Sequence, residues 1–105
     1  MPSQRGTQQF QGLFEVISVK VSFNPPSLVD GTGTVAGFLV PGTEFGDFAF
    51  VSAPYGLQGL DASAYVSSTN NVTIHVQNES GATVDLANGL WNVMVLKPNA
   101  SFFTV

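Results

Sequence analysis

Val72-Thr73-Ile74-His75-Val76-Gln77 alternates apolar and polar residues without a break, and its reading decides the fold. Successive side chains of an extended strand point to opposite faces. Val72, Ile74 and Val76 therefore line one face, and Thr73, His75 and Gln77 the other. The same period runs through Ile17-Ser18-Val19-Lys20-Val21-Ser22-Phe23, with the apolar residues again on one side. Phe14 and Val16 fall in the opposite register, which predicts a bulge or bend near Val16-Ile17. Asn24-Pro25-Pro26-Ser27 stops that strand, since neither proline can donate to a ladder.

Further strands read outward from these two. Residues 35–40 form a short apolar run closed by Pro41-Gly42, and residues 48–52 follow the Gly46-Asp47 corner and end before Pro54. Residues 62–67 form a weaker strand carrying Tyr65. Asp30-Gly31-Thr32-Gly33, Asn70-Asn71 and Asn78-Glu79-Ser80-Gly81 have turn chemistry. Val84-Asp85-Leu86-Ala87 reads as an extended piece or a helical turn, and Asn88-Gly89 favours a two-residue hairpin turn. Residues 90–96 are apolar on both faces, as expected of a central strand packed on each side. The sum is an all-β domain, an antiparallel sandwich or small β-barrel of six to seven short strands. Residues 1–12 are polar and aperiodic and read as an extended N-terminal arm. Residues 13–105 form the β-domain, which ends in the apolar tail Ser101-Phe102-Phe103-Thr104-Val105.

Only ten of the 105 residues are charged: Arg5, Lys20, Lys97 and seven acids. An ordinary soluble domain carries roughly 25% charged residues, and β-domains use them to keep sheet faces and edges apart. A sheet protein with so few is expected to be covered by copies of itself. A net charge of −4 with three scattered basic residues argues against nucleic acid, whose phosphates need clustered cations. A run of about 18 apolar residues, enough for a membrane-spanning helix, is missing. The polar start lacks the apolar middle of a secretory signal, so folding is expected in the cytoplasm where the chain is made. Nine phenylalanines exceed what so small a core can hold. The partner-binding candidates are Arg5 and Phe10 on the arm, Phe14 at its root, and Phe102 and Phe103 in the tail, because aromatic side chains supply much of the contact energy at interfaces.

Residues suited to catalysis are scattered. His75 is the single histidine, on the polar face of its strand, so it reads as a surface residue and not as half of a metal pair. The acids stand singly, and the nearest two, Glu44 and Asp47, share a glycine-flanked corner where Asp47 is expected to accept backbone N–H groups. No serine has a neighbouring base, and Gly31-Thr32-Gly33 lacks the lysine of a phosphate loop. The expectation is a non-enzymatic chain without cofactor or metal. Trp91 reads as a core residue whose indole N–H needs an acceptor.

The order of short motifs nevertheless forms a pattern. Phe23-Asn24-Pro25-Pro26-Ser27-Leu28, Val40-Pro41-Gly42 with Gly46-Asp47, and Ala53-Pro54 come first. Gly59-Leu60, Ala64-Tyr65-Val66-Ser67, Val72-Thr73-Ile74, Asn78-Glu79-Ser80-Gly81, Val84-Asp85-Leu86 and Gly89-Leu90-Trp91-Asn92-Val93 follow. Over about residues 17–97 this series resembles small β-domain structural proteins of tailed-bacteriophage virions. The resemblance implies a capsid cement (decoration) protein: a homotrimer on the head surface that clamps neighbouring major capsid proteins with a terminal arm. It also admits a tail, baseplate or fibre domain that attaches to a host receptor, with Tyr55 as the candidate platform for a glycan.

Overall fold

The structure, a computed structural model, describes residues 14–98. Six strands make it up: β1 (Phe14–Phe23), β2 (Gly33–Leu39), β3 (Phe48–Ser52), β4 (Leu60–Ser68), β5 (Asn71–Asn78) and β6 (Gly89–Pro98). They pair antiparallel into two three-stranded sheets, ordered β1-β6-β3 and β2-β5-β4. The fold is the expected all-β sandwich, with no helix among the described residues.

Each central strand turns its apolar side inward. Val72, Ile74 and Val76 of β5 and Trp91, Val93 and Val95 of β6 are wholly buried in one cluster, joined by Val21, Phe23, Leu60 and Val66. Loop residues Leu28, Val40, Val84 and Leu86 close its ends. Phe23 packs against Trp91 and Phe38, with ring centroids 5.1 and 5.5 Å away. The Trp91 indole finds its acceptor in Tyr55: Nε1 donates to the Tyr55 hydroxyl at 3.3 Å, and that hydroxyl donates in turn to the Ala87 carbonyl.

Two local expectations need correction, and an alternative left open at residues 84–87 is decided. The β1–β6 register runs unbroken from Phe14↔Pro98 to Phe23↔Gly89, so no bulge occurs at Val16-Ile17. Phe14 and Val16 stay on the outer face, because the sheet there is apolar outside as well as inside. Residues 84–87 form no helical turn, and Val84 is held in an isolated bridge in which Leu28 and Val84 exchange backbone hydrogen bonds of 2.8 and 2.9 Å. Asn88-Gly89 is no hairpin turn, since neither residue has a positive φ. Gly89 opens β6 where a Cβ would meet Pro54 Cγ at 2.8 Å, so close approach explains the glycine.

Asn78, fully buried at the end of β5, ties the loops of one pole together. Its Nδ2 donates to the carbonyls of Leu28 and Ala82, both at 2.8 Å, and its Oδ1 accepts from Ser80 N at 2.9 Å and Ser80 Oγ at 2.7 Å. Removing the amide strands acceptors that water reaches poorly. Asn78→Ala is expected to cost about 3 kcal/mol of folding stability, read as a lower urea midpoint at unchanged slope. The exposed Asn88→Ala should change stability by less than about 0.5 kcal/mol.

Candidate interaction surface

In an antiparallel sheet, residues directly opposite one another share a face. The outer face of β1-β6-β3 therefore carries the rows Val16–Leu96–Phe48, Ser18–Met94–Phe50 and Lys20–Asn92–Ser52, followed by the pair Ser22–Leu90. Phe48 is 52% exposed, Phe50 49% and Met94 39%, large values for a contiguous apolar patch. The half-buried Phe14 stands edge-on to Phe48, with ring centroids 6.4 Å apart. Below Phe50 and Met94 lies a shallow open depression of about 270 Å³, bounded by Ser18, Ser52 and Asn92. Lys20 is the single charged residue of these rows, and its Nζ donates to Asn92 Oδ1 at 2.9 Å.

The outer face of β2-β5-β4 is more mixed. Its rows are Gly33–Gln77–Asp61, Val35–His75–Ser63 and Gly37–Thr73–Tyr65, with Leu39 beside Asn71. Leu39 is 70% exposed and Val35 60%, both on β2, which is an edge strand. β3 and β4 lie beside each other, so β1 and β2 form the opposite flank of the sandwich. β1 is ten residues long, contains no proline and bears only Glu15 and Lys20 as charges. Edge strands of that kind are open to pairing with another chain.

The acids do not form an open pair. At the pole where β6 ends, the partly buried Lys97 Nζ donates to Asp47 Oδ2 at 2.8 Å and to Glu44 Oε1 at 3.2 Å. Asp47 Oδ2 also accepts from Glu44 N at 3.0 Å, the turn bond expected from the sequence. The arrangement is a clasp that closes the end of the core. No group of three or more potential metal-ligating His, Cys, Asp or Glu side chains gathers among the described residues.

Of the residues singled out in the sequence, Phe14 lies at the end of the apolar patch. Arg5, Phe10, Phe102 and Phe103 lie outside the described residues. Tyr55 is no free platform, because its ring stands perpendicular to Trp91 at 5.9 Å and its hydroxyl is engaged. Tyr65, on the outer face of β4, is the half-exposed tyrosine. Phe48, Phe50 and Met94 were not singled out, although one signal was readable. Both Phe-Ala-Phe-Val in β3 and the run in β6 are apolar in both registers, and an outermost sheet can bury only one of them.

The hydrogen bond to Asp47 raises the pKa of Lys97 against the opposing effect of partial burial, and Glu44 adds to the rise. A lysine held above its unfolded value contributes stability that is complete below that value and lost as pH climbs through the folded one. Wild type should therefore lose stability as pH passes the ordinary lysine value of 10.5. Lys97→Met should show a smaller loss over the same range, measured by urea unfolding at stepped pH. No protein-family model matches the chain, and neither a curated protein nor a solved structure matches it.

Proposed function

We propose that this chain is a structural protein that works by assembly, a decoration protein of a bacteriophage head. In this reading it forms a homotrimer on the capsid surface and stabilises the shell by binding neighbouring major capsid proteins. The observation that carries the reading is a core that closes on itself while large apolar side chains remain outside. Among the described residues, Trp91, Ile74 and the valines of β5 and β6 complete the interior, yet Val35, Leu39, Phe48, Phe50 and Met94 stand in solvent. Lys20 on one outer face and Asp61 on the other are the charges that interrupt these rows.

Burying such surface yields roughly 25 cal/mol per Å². Stable interfaces remove about 800 Å² per partner, which the β2 flank and its outer face could supply between sister subunits in a closed ring. Arg5 and Phe10 on the arm would then reach the capsid, and repeated attachment across capsomers multiplies weak contacts into firm binding.

Sedimentation of the full chain is expected to give a trimer. Leu39→Glu should shift it toward the protomer while altering stability by less than about 0.5 kcal/mol, since the site is exposed. Deleting residues 1–12 should leave the trimer intact and abolish attachment to capsids. A lone protomer at high concentration would overturn the reading.

A second reading, a tail or fibre domain that holds a host glycan, is favoured by Tyr65. It stands half exposed beside Thr73, with Gly37 leaving space at the end of the row. Glycan-array binding lost in Tyr65→Ala, with few copies per particle, would select this reading. A copy number matching the major capsid protein selects the first.

A further inference from the structure

β2 is an edge strand of seven residues with no charge, no proline and no bulge. Natural sheet edges carry such devices to stay single, and β2 has none of them. The phase of its backbone follows from its two ends. Asn78 N donates to the Thr32 carbonyl, and Val40 N donates to the Asn70 carbonyl, both at 2.8 Å. Thr32 and Val40 thus turn backbone groups toward β5. In an antiparallel ladder that orientation alternates, so Thr34, Ala36 and Phe38 face β5 as well. The N–H and C=O groups of Gly33, Val35, Gly37 and Leu39 point away from the sheet, and these four are the exposed residues of the strand.

Gly37 supplies a second observation. Its φ is not positive, and a Cβ built there would meet only Thr73 Oγ1, at an ordinary 3.8 Å. Nothing in its own subunit asks for glycine, which weakens a strand and often marks the close approach of another backbone. Gly33 differs, because the Gln77 side chain lies over it. The strand is also complementary to itself. Set antiparallel to a second copy across a two-fold axis at Ala36, every residue from Gly33 to Leu39 finds a partner. On the outer face Val35 covers the bare backbone of the second copy's Gly37, and Leu39 falls opposite its Gly33. On the inner side Ala36 meets Ala36, and Thr34 meets Phe38. The outward backbone groups of the two strands then face one another as hydrogen-bonded pairs. Moving the axis to Val35 or Gly37 sets Val35 against Val35 or against Leu39 and leaves strand ends unpaired. No charge on β2 opposes the approach.

We infer that two copies of this chain join through their β2 edges, antiparallel about a two-fold axis at Ala36, so that their β2-β5-β4 sheets merge into one sheet ordered β4-β5-β2-β2-β5-β4. Such a contact uses the same patch on both copies and closes at two. Its ladder is about 24 Å long, and one strand's width of contact falls short of the roughly 800 Å² per partner of a stable interface. The pairing is therefore weak in dilute solution and grows where copies are crowded. It does not rest on the ring of three proposed above; where both hold, it links one ring to the next.

The chain has no cysteine, so introduced ones report the pairing. Opposite residues of an antiparallel pair lie about 4.5 or 5.5 Å apart at Cα, within the range of a disulfide. Under mild oxidation of the full chain at high concentration, Ala36→Cys is expected to give disulfide-linked pairs. Light Val35→Cys and isotopically heavy Gly37→Cys chains are then mixed in equal amounts. Mixed disulfides should outnumber like pairs severalfold, because Val35 faces Gly37, whereas statistical mixing gives equal numbers. No disulfide in Ala36→Cys, or a statistical mixture of the other two, would overturn the inference. Gly37→Pro removes an N–H that only the second copy uses. Added to Ala36→Cys, it should keep the urea midpoint and lower disulfide formation severalfold; undiminished formation would equally overturn the pairing. If that variant fails to fold, the mixed disulfides decide alone. Sedimentation keeps the two readings apart. Trimers without the disulfides overturn the pairing and leave the ring. Disulfide-linked pairs in a sample that never exceeds two copies overturn the ring and leave the pairing.

Discussion

The inner faces of β5 and β6 hold this molecule together. Each is the middle strand of its sheet, and Val72, Ile74 and Val76 meet Trp91, Val93 and Val95 in one wholly buried cluster. Burying a side chain of that size contributes about 1.5–3 kcal/mol, and without cysteines the domain depends on such terms. The edge strands take their position from these two. β1 and β3 can pair only where β6 runs, and β2 and β4 only where β5 runs. The polar contacts work at the two poles instead, Asn78 at one and the Lys97 clasp at the other, where backbone leaves the ladders and needs partners.

A sandwich this thin has two outer faces, and they differ. The β2-β5-β4 face mixes Leu39, Val35 and Tyr65 with Thr73, His75 and Gln77. The β1-β6-β3 face is apolar over one half and polar over the other.

Strict alternation made β1 and β5 legible in the sequence, and proline and glycine punctuation placed β3 to the residue. The errors have separate physical origins. Phe14 and Val16 suggested a bulge because apolar residues were assigned to the core, whereas here the outside of the sheet is apolar too. Asn88-Gly89 suggested a hairpin from local turn preference. Pairing with the distant Phe23 makes Gly89 a strand residue instead, and the nearness of Pro54, invisible in local sequence, leaves no room for a side chain there. Tyr55 and Tyr65 could not be ranked by composition, since only the fold shows which ring faces Trp91. The exposed patch was written in the double apolar register of β3 and β6, but recognising it required knowing that nothing else packs outside that sheet.

The pairing of the first strand with the last has a kinetic consequence. Phe14 meets Pro98 and Phe23 meets Gly89, so β1 has no ladder partner until nearly the whole domain has left the ribosome. Loop closure over such a distance is slow, and contacts distant in sequence lengthen folding times. During translation β1 waits as an open ribbon with its apolar side uncovered, while β4 and β5, joined by a tight turn, can form early. The interval before β6 emerges is when this chain is most exposed to misassembly with its neighbours on the same message, and when a chaperone would find most to hold.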